Sequence, residues 1–151
     1  MDAGDLAPDF TLPDDRGQDR TLSDFLATGP VVLFFYPAAM TTGCTAESCH
    51  FRDLAAEFTA AGAHRVGISP DAVDKQAAFS EKHSFDFPLL SDPDGAVATQ
   101  FGVRRGFGPL LTRRQTFVID TDRTVLEVIK SELRMAVHAD RALDVLRART
   151  S

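Results

Sequence analysis

Cysteine is scarce in this chain of 151 residues, and its scarcity limits the roles open to its thiols. There are two cysteines, Cys44 and Cys49, so a zinc site built from three or four thiolates cannot form within the chain. The first five residues include two Asp and lack the charged-then-apolar pattern of a secretory signal, so we expect a cytoplasmic protein. That compartment keeps thiols reduced, and the two cysteines are therefore not expected to be structural disulfides.

Long apolar runs and clusters of basic residues are also missing. No apolar stretch approaches the ~20 residues that a membrane-spanning helix needs, so we expect no membrane partner. The net charge is −6 and Lys and Arg form no run, which argues against nucleic acid and anionic membranes as partners. The hydrophobic and charged contents, 44% and 25%, are ordinary for a globular protein. We expect a single domain over residues 1–151 with a sizeable core.

The hydrophobic pattern predicts strands that alternate with helices. The continuous apolar run at residues 31–36 suits a central strand buried on both faces. Apolar residues at 51, 54, 55 and 58 share one helical face, which predicts a helix over residues 42–60. The other predicted strands are 9–12, 65–68, 87–90, 116–119 and 125–129; the other predicted helices are 23–27, 70–83, 96–101 and one through 139–146; residues 102–113 are predicted as a loop. This order predicts an α/β three-layer sandwich with a mixed central sheet flanked by helices.

The segment that follows the predicted central strand is the most informative about function. Residues 37–44 read Pro-Ala-Ala-Met-Thr-Thr-Gly-Cys and lead from a buried strand into the start of a helix. The free N–H groups and the dipole at a helix N-terminus favour negative charge. Because the thiolate is the reactive form of cysteine, this placement predicts that Cys44 is a reactive thiol.

The spacing Pro37-x-x-x-Thr41-x-x-Cys44 resembles the active-site signature of peroxiredoxins. With Cys49 five residues after Cys44, the wider string resembles the bacterioferritin-comigratory protein, or peroxiredoxin Q, subfamily. Further matches at residues 7–12, 67–69, 87–92 and 114–120 extend the resemblance along nearly the whole chain. It implies a thioredoxin-like fold and a thiol peroxidase that needs no metal and no organic cofactor.

The resemblance also implies a role for each matched residue. Cys44 is implied as the thiolate that attacks the O–O bond of hydrogen peroxide or an organic hydroperoxide, leaving a sulfenic acid. Thr41 is implied to place its hydroxyl beside the sulfur, and Arg114 to stabilise the thiolate and polarise the leaving oxygen as a permanent cation. Pro37, which has no N–H, is implied to shape the loop and shield the pocket.

Cys49 is implied as the thiol that resolves the sulfenic acid as an intramolecular disulfide, which a thioredoxin-like dithiol protein would reduce. Five residues along a helix correspond to ~7.5 Å of rise and about 140° of rotation, so the two sulfurs would point apart. A disulfide requires Cα atoms roughly 4.4–6.8 Å apart. We therefore expect the first turns of this helix to unwind when the pair forms. The resemblance implies a monomer, with a weak dimer left open.

Four aromatic and apolar residues are candidates for the mouth of a substrate pocket. They are Phe35, Tyr36, Met40 and Phe107. For Phe35 and Tyr36, packing within the core as part of the central strand is an equally good interpretation.

The charged residues near the motif also have alternatives. Arg114 is expected to face the sulfur, although its neighbour Arg113 could take that place. Glu47, one turn after Cys44, is expected to be solvated. The four histidines, which carry no partner pattern, are expected at the surface: His50, His64, His83 and His138.

Three other functions fit parts of the sequence. A thioredoxin-like disulfide reductase is disfavoured because the spacing Cys-x-x-Cys is absent. A redox sensor or chaperone-like module would use the same two cysteines, with oxidation unwinding the helix and exposing apolar surface. Continuous turnover of peroxide distinguishes a peroxidase from such a sensor. A purely structural binding domain is the least favoured, since it needs no site that stabilises a thiolate.

Overall fold

A computed structural model of the chain describes residues 1–104 and 112–149. The elements within that part are, in chain order, β1 Thr11–Pro13, β2 Asp19–Thr21, α1 Leu22–Leu26, β3 Val31–Phe35, α2 Thr42–Asp53, α3 Ala55–Ala60, β4 His64–Ser69, α4 Val73–His83, β5 Leu89–Ser91, α5 Ala96–Gln100, β6 Gln115–Ile119, β7 Val125–Lys130 and α6 Met135–Arg149. No helix in the described ranges is long and apolar enough to cross a membrane.

The central sheet has five strands in the order β5-β4-β3-β6-β7. β3 pairs in parallel with β4, and β4 with β5, whereas β6 pairs antiparallel with both β3 and β7. Every residue of β3 is buried, as its continuous apolar run predicts for the middle strand of a covered sheet. The predicted mixed sheet is therefore confirmed.

The two faces of the sheet carry separate hydrophobic clusters, which successive residues of β3 supply in turn. Val31, Leu33 and Phe35 point into the cluster that α1 and α5 cover. Val32 and Phe34 point into the cluster that α2, α3, α4 and α6 cover. Helices thus lie on both faces, and the predicted three-layer arrangement is confirmed.

The predicted helix over residues 42–60 is wrong in one respect, because it is interrupted at Leu54. There the backbone adopts φ −96° and ψ 22°, and the chain divides into α2 and α3. The carbonyl of Phe51, which a continuous helix offers to the N–H of residue 55, accepts a 2.9 Å hydrogen bond from Nη1 of Arg65. The break leaves both Phe51 and Phe58 fully buried against the sheet.

The fourth helix begins at Val73 rather than at Pro70, where the proline had suggested its start. Ser69 and Asp71 bond to each other locally: Oγ of Ser69 donates to Oδ2 of Asp71 at 2.7 Å and accepts from its N–H at 3.2 Å. Such side-chain bonds stabilise a turn in competition with a helix. The helix therefore starts only after this turn, with Ala72 in extended conformation before it.

The N-terminal region differs from the prediction in two ways. β2 was not predicted, because it is short and polar, yet it pairs antiparallel with β1. The helix predicted to start at Ser23 starts one residue earlier, so Ser23 lies inside α1 and Thr21 occupies the position before it. The hydroxyl of Ser23 instead donates to Oδ2 of Asp9 at 2.8 Å.

Candidate active site

Cys44 lies in the first turn of α2, directly after the loop that leaves the central strand. It is the third residue of a twelve-residue helix and is completely buried. The residue before it is a glycine with close neighbours: a Cβ at Gly43 would lie 3.0 Å from Cε of Met135 and 3.2 Å from Nη2 of Arg114, so both side chains would have to shift slightly to admit it. The start of α2 can therefore approach both side chains closely, which places the thiol at a helix N-terminus that favours negative charge.

Arg114 directs its guanidinium at the sulfur. It precedes β6 and is 6% exposed, and its Nη2 lies 3.3 Å from Sγ of Cys44. Burial disfavours the charged form, but the adjacent Glu47 and Cys44 outweigh burial and raise the pKa of Arg114, so the cation persists. Arg113 is exposed, so the predicted proximity of Arg114 to Cys44 is confirmed and the alternative is wrong.

Glu47 is buried beside this pair, which corrects the expectation that it is solvated. It has no exposed surface, and its Oε1 accepts a 2.8 Å hydrogen bond from Nη1 of Arg114. Burial raises the pKa of Glu47 to about 8, against the opposing effect of Arg114. The other oxygen, Oε2, has no hydrogen-bond partner within the described part of the chain. Two groups therefore share one guanidinium: a carboxyl group and the thiol.

His138 of α6 completes the buried set, which corrects its expected surface position. It has no exposed surface, and burial lowers its pKa. Its Nδ1 lies 2.8 Å from Oγ1 of Thr116 and 3.5 Å from Oε2 of Glu47, while its Nε2 lies 2.8 Å from the carbonyl oxygen of Ser131. The signal in the sequence was its spacing from Ala142, which places it on the buried face of α6.

The loop residues predicted for the site lie between β3 and the start of α2. Pro37 is buried where β3 leads into the loop. Thr41 is exposed at the N-cap position of α2, and its hydroxyl donates to the carbonyl of Ala38 at 2.7 Å rather than to the sulfur. Met40 is 39% exposed and adopts a left-handed φ of 68°, which is uncommon for a residue with a side chain. The loop thus presents Met40 and Thr41 outwards, next to the start of α2.

The remaining pocket candidates are not brought together. Phe35 packs against Phe101 and Phe117 on the face of the sheet opposite Cys44, so it belongs to the core and not to this site. Tyr36 lies on the same side as Cys44 but is fully buried, and its hydroxyl donates to Oε1 of Gln76 at 2.5 Å. Burial raises the pKa of Tyr36, so it stays protonated. Phe107 lies outside the described residues.

Cys49 shares α2 with Cys44 but lies off its buried face. That face consists of Cys44, Glu47, Ser48 and Phe51, whereas Cys49 is partly buried. Both thiols are free. Within an ideal helix the Cα atoms of two residues five apart are about 8.7 Å apart, beyond the range of roughly 4.4–6.8 Å that a disulfide requires. The folded helix therefore keeps the two thiols apart.

No group of three or more His, Cys, Asp or Glu side chains that could hold a metal ion occurs among residues 1–104 and 112–149. The chemistry that the described side chains offer is that of a buried thiol, a permanent cation and two titratable groups.

Comparisons with known proteins agree on one family. The sequence profile of the AhpC/TSA family matches residues 3–128. A putative peroxiredoxin of Mycobacterium tuberculosis is 63% identical over 150 residues, which cover 98% of this chain and 97% of that protein. The crystal structure of peroxidoxin BcpB from Mycobacterium tuberculosis superimposes with a TM-score of 0.96 at 61% identity, covering 100% of this chain and 99% of that chain.

A more distant structure extends the likeness. It is the bacterioferritin comigratory protein of Xanthomonas campestris, described for its alkyl peroxide reduction activity. It superimposes with a TM-score of 0.86 at 34% identity and covers 94% of this chain and 92% of that chain.

Proposed function

Because this chain belongs to the AhpC/TSA family, as a peroxiredoxin of the bacterioferritin-comigratory or peroxiredoxin Q type, we propose that Cys44 is its peroxide-reactive thiol. The chain has the thioredoxin-like fold of these enzymes and is a thiol peroxidase. The observation that supports the assignment of Cys44 is the 3.3 Å contact between its sulfur and Nη2 of Arg114, in a buried site at the start of α2. A cation and a helix N-terminus acting together favour the thiolate.

The proposed reaction is a displacement at peroxide oxygen. The thiolate of Cys44 attacks the terminal oxygen, an S–O bond forms, and the O–O bond breaks. The sulfur becomes a sulfenic acid, and the leaving alkoxide or hydroxide takes up a proton to form an alcohol or water. Arg114 already donates toward the sulfur, so its guanidinium is in place to stabilise the negative charge that moves to the leaving oxygen.

Cys49 is the proposed resolving thiol. Its sulfur attacks the sulfenic acid of Cys44, forming the disulfide and releasing water. An ideal helix would hold the two residues about 8.7 Å apart at Cα, so resolution requires the first turns of α2 to open. Cys49 is partly exposed, which supports this role because less packing holds it in place when the start of the helix opens.

A thioredoxin-type dithiol protein is the proposed reductant that reopens the disulfide by thiol–disulfide exchange. Hydrogen peroxide and organic hydroperoxides are the proposed substrates. The alkyl peroxide reduction described for the Xanthomonas campestris protein supports the second class.

The other loop residues have proposed roles in shaping the entrance. Pro37 closes the pocket from the strand side, and Thr41 orients the incoming peroxide with its hydroxyl once that hydroxyl leaves the carbonyl of Ala38. Met40, exposed in the same loop, contacts the organic part of a hydroperoxide. Tyr36 supports the pocket from within the core, since it is fully buried.

We also propose that the chain forms one domain and acts as a monomer in the cytoplasm. The described residues contribute to one central sheet with a hydrophobic cluster on each face, which supports a single domain over residues 1–151. Resolution within one chain needs no second subunit, so we propose a monomer, which light scattering would test. A cycle that depends on a reduced dithiol protein suits the reducing cytoplasm.

Steady-state consumption of peroxide in the presence of thioredoxin, thioredoxin reductase and NADPH tests this function. The parent protein is expected to turn over continuously, Cys49→Ser to stop after about one equivalent, and Cys44→Ser to consume none. Continuous turnover by Cys44→Ser would overturn the assignment of the reactive thiol. A parent that reacts once and is not recycled by any dithiol reductant would instead favour a sensor.

A further inference from the structure

The buried set around Cys44 contains a carboxylate oxygen without a hydrogen-bond partner in the described part of the chain. Oε1 of Glu47 pairs with Arg114, but Oε2 has no hydrogen-bond partner among the described residues and no exposed surface. A bare carboxylate oxygen in a buried site is costly, since burial penalises unpaired charge. The ring of His138 lies beside this oxygen, with its Nδ1 3.5 Å away.

The contacts of His138 show which of its nitrogens can titrate. Nε2 lies 2.8 Å from the carbonyl oxygen of Ser131, and a carbonyl only accepts, so Nε2 carries a hydrogen in either charge state. The proton that comes and goes is therefore on Nδ1. That atom faces Oγ1 of Thr116, which can donate or accept, and Oε2 of Glu47.

The charges around Arg114 favour a proton between Glu47 and His138. Arg114 is the one permanent cation in contact with the sulfur among the described residues. If Glu47 is ionised, it competes with the thiolate of Cys44 for that cation. If Oε2 carries a proton, Oε1 still accepts from Nη1, and the positive charge is left for the thiolate.

We propose that His138 is a positioning residue of the peroxidase site, because it shares one proton with Glu47 across the gap between Nδ1 and Oε2. While the pair holds that proton, the guanidinium of Arg114 stabilises the thiolate of Cys44. When the pair loses the proton, the ionised Glu47 draws the guanidinium away from the sulfur. The proton moves between two acceptors, Oε2 and Nδ1, and no bond other than O–H or N–H is made or broken.

The groups that face the pair come from three elements. Arg114 and Thr116 lie at β6, Cys44 lies on α2 with Glu47, and Glu132 lies between β7 and α6 and accepts from the backbone N–H of Arg114 at 3.0 Å. The negative charge of Glu132 acts on both members of the pair in the direction that retains a proton. The raised pKa of Glu47, about 8, places loss of the shared proton at mildly alkaline pH.

The consequence is a peroxide reaction that slows as the pH rises past about 8, because loss of the shared proton gives the rate a falling limb there. A carboxylate at Glu47 and a thiolate at Cys44 disfavour each other, since a second anion beside Arg114 weakens the interaction of Arg114 with the first.

The test is the second-order rate constant with hydrogen peroxide, from about pH 6 to about pH 9, measured by competition with a reference peroxidase. In His138→Gln, the amide can donate to Oε2 but holds no shared proton, so the falling limb is expected to move about one pH unit lower. In Glu47→Gln the falling limb is expected to vanish. His83→Gln is the matched control, because His83 packs against Phe85 and contacts none of these groups.

Two results would overturn the inference. One is a rate that falls by the same factor at every pH in His138→Gln, which indicates a merely structural role. The other is a falling limb that persists in Glu47→Gln. If His138→Gln does not fold, the infrared spectrum of the parent decides: a protonated buried carboxyl group near neutral pH supports the inference, and its absence overturns it.

The inference rests on the proposed role of Cys44, and the same assay separates the two. Cys44→Ser must lose the fast reaction at all pH values for the proposed function to stand. A parent with a fast reaction but no falling limb contradicts only the role of His138.

Discussion

Formation of the Cys44–Cys49 disulfide is expected to unwind residues 42–49 and to leave the last turn of α2 in place. Those eight residues are the first two thirds of the helix Thr42–Asp53. Unwinding is needed because of the distance between the Cα atoms of Cys44 and Cys49. In an ideal helix the two Cα atoms are about 8.7 Å apart, so they must approach by about 2 Å or more to reach the range of a disulfide. Rotation of the side chains alone cannot provide that approach.

Contacts at Phe51 set the other limit of the unwinding. Its ring is fully buried and stacks on Phe34 with centroids 4.2 Å apart, and its carbonyl accepts from Arg65. Exposing such a side chain costs about 1.5–3 kcal/mol. Ser48 resists exposure less, since its buried hydroxyl has no hydrogen-bond partner among the described residues. Opening should therefore stop between Cys49 and Phe51.

Hydrogen exchange followed by mass spectrometry measures this directly. Peptides over residues 42–49 should lose protection when the parent is oxidised with one equivalent of peroxide, and peptides that begin at Phe51 should retain it. Cys49→Ser, treated in the same way, is the control and should keep protection throughout. Retained protection over residues 42–49 in the disulfide form would show that the helix does not unwind, and loss of protection through α3 would show that Phe51 does not limit the unwinding.

Three substitutions test other parts of the account. Arg114→Gln should slow the peroxide reaction roughly 10²-fold or more by removing a charged donor, whereas Arg113→Gln, which changes an exposed side chain, should react like the parent. Gly43→Ala should also slow the reaction at unchanged pH, because its Cβ would lie 3.2 Å from Nη2 of Arg114; an unaltered rate would contradict this crowding. Tyr36→Phe should lower the free energy of unfolding in urea by about 1–3 kcal/mol by leaving Oε1 of Gln76 unpaired; equal stability would show that contact to be unimportant.

The central sheet could be predicted because its signals are local. The apolar run of β3 and the alternation of strands with helices determine the mixed sheet and its two helical layers. Side chains along a strand also alternate between the two faces of the sheet. Phe35 and Tyr36 are consecutive in sequence and must point to opposite faces, so they could not line one pocket.

The buried polar residues could not be predicted from polarity. Glu47 and Ser48 follow Cys44 at the third and fourth positions, and Phe51 at the seventh, which is the spacing of one helical face. A search for apolar residues misses this face because two of its four members are polar. Glu47 is buried because Arg114, sixty-seven residues away in sequence, supplies the opposite charge, and such long-range pairing has no local signature.

The break at Leu54 has a similar origin. The residues on either side have ordinary helical periodicity, and the hydrogen bond from Arg65 to the carbonyl of Phe51 comes from a different element, β4. Tertiary contacts thus decide where α2 ends, whereas the sequence around residues 51–58 predicts only that the region is helical.

The proposed peroxidase cycle requires that Cys44 react with peroxide and that Cys49 resolve the product. The most direct measurement is the intact mass and free-thiol count of the reduced protein after one equivalent of hydrogen peroxide, beside Cys49→Ser. The parent is expected to lose both thiols as a monomeric disulfide, while the variant stops at a single oxygen adduct on Cys44. If both thiols of the parent survive peroxide unchanged, Cys44 is not the reactive thiol.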